Sequence, residues 1–133
     1  MSTETIALPR PDVRVVLSAA LGAVALGLAA WTLVLQHSLP ASYTVDRWAA
    51  AWAGFDVLLA GLFAATAWLL HRHDRLAPAA GLATAVALVL DAWFDCATAA
   101  ASDLPTSLLM AAVELPVAAV LTAWAVRATR EAE

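Results

Sequence analysis

A chain of 133 residues that is 63% hydrophobic and only 14% charged carries too little charge to cover the surface of a soluble domain. With a net charge of −4, seven Arg and no Lys, no nucleic-acid partner is expected, and one cysteine excludes an internal disulfide. A mean hydropathy of +0.81, concentrated in four long apolar stretches, leaves no room for a nucleotide fold or a soluble domain.

The stretches span residues 15–35, 48–70, 78–101 and 104–126, each long enough to cross roughly 30 Å of hydrocarbon at about 1.5 Å per residue. They predict an all-α, four-helix up-down bundle forming a single transmembrane domain over residues 1–133. Pro9 and Pro11 keep the first tail extended ahead of the first span. That span, at about 21 residues, exceeds the usual 7–15-residue apolar core of a signal peptide, so it is expected to be a retained helix. Its small residues, Ala19, Gly22, Ala23, Gly27 and Ala30, allow close approach of another helix, or of a second copy in a homodimer. Pro40 breaks the chain in the first connection, and His37 is expected in that outer loop, able to reach only the mouth of the bundle.

Asp46 is positioned to cap the second helix, and Gly54 and Gly61 are expected to admit a neighbour's backbone. Pro78 stands in the first turn of the third helix, where its missing N–H costs little. Ser102 or Asp103 is positioned to cap the fourth, in a tight turn between the last two helices. Trp31, Tyr43 and Trp48 at one end and Trp68 and Trp124 at the other are placed like the aromatic belts of a bilayer interface.

Arginine sets the orientation. Arg10, Arg14, Arg72, Arg75, Arg127 and Arg130 fall on one side of the spans and Arg47 alone on the other. The positive-inside rule then puts both termini and the second connection in the cytoplasm of a cell whose inner or plasma membrane holds the protein.

The acids are sorted differently. Asp56, Asp91, Asp95 and Glu114 lie inside apolar spans. Counted from the outer ends of their helices, Asp56, Asp91 and Glu114 come to roughly 13–15 Å deep, near the midplane. On the third helix Thr84, Asp91, Asp95, Thr98 and Ser102 follow at intervals of 7, 4, 3 and 4 residues, which draws one polar stripe toward the outer face. Lipid cannot satisfy such a stripe, so it must look into the bundle or a wet cavity. An Asp at a helix centre costs about 2.5–3.5 kcal/mol on insertion, and no Arg, Lys or His stands at this depth to offset it. Several carboxylates in a low dielectric cannot all carry charge unaided; they share protons or hold a cation.

Trp52 stands one turn from Asp56 on the same face and Phe55 adjoins it, an arrangement that suits an organic ammonium through cation–π attraction and suits bilayer packing equally. Glu114 is followed by Leu115 and Pro116, and the proline frees a carbonyl near Ala112 beside the acid. No histidine or cysteine pair lies in the spans to make a zinc site, whereas an all-oxygen site suits a hard cation.

The segments Trp52-Ala-Gly-Phe-Asp56, Asp91-Ala-Trp-Phe-Asp95 and Glu114-Leu-Pro116 resemble those of uncharacterised four-helix membrane proteins of high-GC bacteria. The resemblance spans nearly the whole chain and brings no activity. Small multidrug-resistance transporters have similar size but rely on a glutamate in the first helix, which has no acid here. The four-helix sterol isomerase and sigma-2 receptor family offers a looser analogy: buried acids and aromatics that bind cationic amphiphiles or a carbocation-like intermediate, with no residue role carried over.

The expected function is binding of a cation (a proton, a metal ion or an amphiphilic amine) by Asp56, Asp91, Asp95 and Glu114, with Trp52 lining the cavity, linked to transport or sensing. The alternatives are a structural or accessory membrane subunit without a ligand, and a membrane-embedded lipid isomerase or hydrolase that uses two of the same acids. Expected partners are the bilayer and a cationic or lipid-like small molecule, with the bound cation standing where a cofactor would.

Overall fold

The computed structural model describes residues 44–131 and individual positions between 16 and 37. The chain divides into two compact units, 1–45 and 46–133. In the first, the described positions between 16 and 37 (α1) are helical. His37 is among them, so it belongs to a helix and not to the expected loop. Arg10, Arg14, Tyr43 and the rest of the first span lie outside the described residues.

The second unit holds three helices: α2 (Trp48–His71), α3 (Ala77–Thr98) and α4 (Leu104–Glu131). All three are long and apolar enough to cross a membrane. Large apolar side chains such as Val57, Trp93, Leu109 and Val120 are exposed on them, as lipid-facing residues are. These helices make the chain a membrane protein. The third span ends three residues earlier than expected, because Ala99 turns extended (ψ 135) and residues 99–103 form the connection. The fourth helix runs to Glu131, five residues past the apolar stretch, and so carries Arg127 and Arg130 on helical backbone.

The central helix is α3. It packs against both α2 and α4, which make no comparable contact with each other. Its buried residues explain this position: Ala77, Gly81, Thr84, Ala85, Ala87, Leu88, Asp91 and Ala92 fall on one broad face, wide enough to meet two helices. The facing stripe of α4 is Ala111, Glu114, Ala118 and Ala125. Two alanine-rich stripes let helix backbones approach closely, which is how helices associate where lipid removes any hydrophobic advantage. Ala85, Leu88 and Ala118 form the buried core, with Leu59 of α2 and Leu121 of α4 packed against it.

Close approach is tightest at Gly81. A Cβ there would stand 2.8 Å from Cζ3 of Trp124, so the indole lies on the glycine. Trp124 is therefore also a packing residue of the α3–α4 interface. Among the described residues, nothing lies within 4 Å of a Cβ added at Gly54 or Gly61, so neither α3 nor α4 makes a close backbone approach there.

Polar bonding fixes α2 to α3. Thr66 and Thr84 are both buried, with their hydroxyls 2.9 Å apart. Thr84 also donates to the Ala80 carbonyl at 2.9 Å. A hydroxyl has one proton, so Thr66 is the donor to Thr84.

The caps differ from expectation. The N-cap of α2 is Arg47, in the left-handed region at φ 63, and no side chain caps the helix; Asp46 is one residue too early. At the start of α4 the Asp103 carbonyl takes the N–H groups of Thr106 and Ser107, while its carboxylate accepts from the Ser102 hydroxyl at 3.1 Å. The end of α2 closes in a Schellman turn: Asp74 N–H donates to the Leu69 carbonyl at 2.9 Å and His73 N–H to Leu70 at 3.0 Å. The left-handed position of that turn is His73, at φ 52, where glycine is the usual residue.

Left-handed backbone costs a non-glycine residue about 1–2 kcal/mol. His73→Gly should therefore raise stability by about 1 kcal/mol, and Gly81→Val, which drives a branched side chain into Trp124, should lower it by about 1–3 kcal/mol. Both are read from unfolding midpoints in mixed micelles.

Candidate functional site

Two of the four intramembrane acids lie on the α3–α4 seam. Asp91 follows Leu88 and precedes Ala92 on the buried stripe of α3, and Glu114 stands between Ala111 and Ala118 on that of α4. Each is only 8% exposed. Their pairing follows from register. Trp124 lies on Gly81, and ten residues up α3 and ten down α4 from that contact bring Asp91 level with Glu114. Helical spacing thus delivers two carboxylates to one height of one interface.

The other two acids are placed differently. Asp95, one turn beyond Asp91, is half-buried, and Asp56 on α2 is exposed. Both still act electrostatically on Asp91, and Asp91 and Asp95 act on Glu114. The four acids share a neighbourhood, with Asp91 at its centre. Only Asp91 and Glu114 share the seam.

Glu114 carries the most telling atom. Its Oε2 is buried and has no hydrogen-bond partner. An unpaired polar atom in such a place costs about 1–3 kcal/mol, and an unpaired charge costs more. The neighbouring backbone adds an acceptor and no donor, because Pro116 has no N–H to give the Ala112 carbonyl. Glu114 therefore stands among acidic and acceptor groups, with no donor to its Oε2.

The polar stripe divides on inspection. Thr84 is fully buried and spent on holding α2. Thr98 is exposed and donates back to the Phe94 carbonyl at 2.8 Å. Ser102 is exposed in the connection and bonded to Asp103. The stripe is a helix tie at one end, an acid pair in the middle and a solvated turn at the other.

Trp52 lines an open-sided groove of about 210 Å³ with Trp48, Ala51, Phe55 and Phe94. Trp48 and Trp52 meet edge to face at 5.5 Å, and Trp52 and Phe55 at 6.4 Å. None of the four acids lines this groove, so aromatics and carboxylates form adjacent surfaces and not one cavity. Among the described residues, no three His, Cys, Asp or Glu side chains come together to hold a metal ion. Cys96 is a free, half-buried thiol.

Two features escape a reading of the sequence: the alanine seam of α3 and α4, hidden because alanine is common throughout, and the contact of Trp124 with Gly81. The 3–4 spacing of Ala111, Glu114, Ala118 and Ala125 is the signal that would have revealed the seam.

No protein-family model matches the chain, and neither a curated protein nor a solved structure matches it.

An unpartnered acid in a close-packed seam opposes folding. Glu114→Met, of similar length and without the polar atoms, should stabilise the bundle by about 1–3 kcal/mol in mixed-micelle unfolding.

Proposed function

We propose that this protein is a multi-pass protein of the cell membrane that binds a cation at an intramembrane carboxylate pair, Asp91 and Glu114, flanked by Asp95 and Asp56. The observation that carries the reading is the buried, unpartnered Oε2 of Glu114 facing other acids. The occupant best suited to two seam carboxylates is a proton, since a metal ion asks for more donors than the seam offers. A held proton that can pass toward half-buried Asp95 links the site to proton-coupled transport or sensing. The bundle in this reading is an up-down one of four helices, with both termini cytoplasmic as the arginines require.

A second reading is favoured by the aromatic groove. Trp48, Trp52, Phe55 and Phe94 form a surface for an amphiphilic ammonium whose charge is drawn toward the acids. The analogy with the sterol isomerase and sigma-2 receptor family points the same way.

A hydrophobic carbodiimide reacts with protonated carboxyls in lipid and so reports on the proton directly. In liposomes, peptide mass spectrometry should find the adduct on Glu114 or Asp91, with yield falling as pH rises, and Glu114→Gln should remove the Glu114 adduct. Protein that stays unlabelled on both residues across the neutral range would overturn the proposal.

A further inference from the structure

At the opposite end of the second unit from the aromatic groove lies a larger pocket, about 390 Å³, that the carboxylate pair does not involve. Its lining is graded. Leu70, Ala77, Pro78 and Trp124 supply an apolar and aromatic floor, and His73, Asp74 and Arg75 of the α2–α3 connection with Thr129 of α4 supply a polar rim. The change from apolar to charged lining occurs where α2 ends and α3 begins, at the end of two helices apolar enough to cross a membrane. The helical extension of α4 beyond its apolar stretch makes the far wall.

The charges on the rim are of both signs, and this decides the ligand. Arg75 is exposed, and its guanidinium matches a phosphate diester. Arg72, by contrast, is committed elsewhere, 5.1 Å over the ring of Trp68. Asp74 is half-buried and uses one oxygen, Oδ1, to accept the Leu76 N–H at 2.8 Å. Its second oxygen makes no hydrogen bond with the protein. A purely anionic ligand would meet that carboxylate as a like charge. A zwitterion carrying phosphate and ammonium meets both.

We propose that this pocket is a binding site for a phospholipid whose zwitterionic headgroup ends in a primary ammonium, with the phosphate at Arg75 and the ammonium at Asp74. His73 turns the chain in the left-handed conformation that sets Asp74 and Arg75 side by side on the rim. Trp124 carries the glycerol and upper acyl region on its ring, as tryptophan does at bilayer interfaces. The primary ammonium donates to Asp74, which a quaternary ammonium cannot do, so the site discriminates between two lipids that share a phosphate.

The test is lipid competition on the full chain. Purified protein in mixed micelles is offered equal phosphatidylethanolamine, phosphatidylcholine and phosphatidylglycerol, and retained lipid is counted by native mass spectrometry. The wild type should retain the ethanolamine lipid about tenfold better, the size expected of one charge-assisted hydrogen bond. Asp74→Asn keeps the acceptor for Leu76 N–H and so keeps the turn; it should bring the preference down to about twofold or less. Arg75→Gln should weaken retention of both lipids. A photoactivatable ethanolamine lipid should label the peptide that carries Trp124 and Ala128, which keeps the proposal testable if a variant fails to fold. Equal retention of the two lipids by the wild type, a preference that survives in Asp74→Asn, stronger retention of phosphatidylglycerol, or labelling away from this peptide would each overturn it.

Discussion

The second unit depends on how closely the backbones of α3 and α4 can approach. In lipid, apolar side chains gain nothing by leaving their surroundings for one another, so helix association rests on dispersion at short range and on polar bonds. Ala77, Ala85 and Ala92 facing Ala111, Ala118 and Ala125 supply the short range. The Thr66–Thr84 bond supplies the polar link to α2, from the same broad buried face of α3. Both rest on the central helix. Its two flanking helices are held through it and not through each other.

The same seam sets the character of the acid site. Side chains of one methyl group leave little room beside them, so a carboxylate placed among them is closely enclosed. Glu114 is costly for the reason that the seam is stable: its neighbours are small, close and apolar. Removal of the acid is the simplest way to a more stable protein, and its presence in so tight a place is what calls for a chemical explanation.

Much of this was legible in the residues. Apolar length alone placed α2, α3 and α4 within a few positions of their bounds, because a bilayer imposes one length on every crossing. Depth counting put Asp91 and Glu114 at one level, and the register set by Gly81 and Trp124 pairs them. The count served Asp56 less well. It took helix ends as flush, whereas the Thr66–Thr84 contact sets Leu59 across from Asp91, so Asp56 stands three residues further along, beside Phe94. What stayed hidden was direction around the helix axis. Asp56 is exposed, and no pattern in α2 distinguishes its faces, since that helix is apolar all round. Caps were hidden for a local reason: Asp46 has a good capping residue's chemistry one position too early.

Pro116 gives this architecture a mechanical property. A rung is missing from α4 one turn long, and it falls at the height of the acid pair instead of at either end. Compliance is thus concentrated where Glu114 stands, while the indole of Trp124 pins the segment beyond it to Gly81. The segment 104–111 thus meets the rest of α4 across the missing hydrogen bond, beside the carboxylate of Glu114.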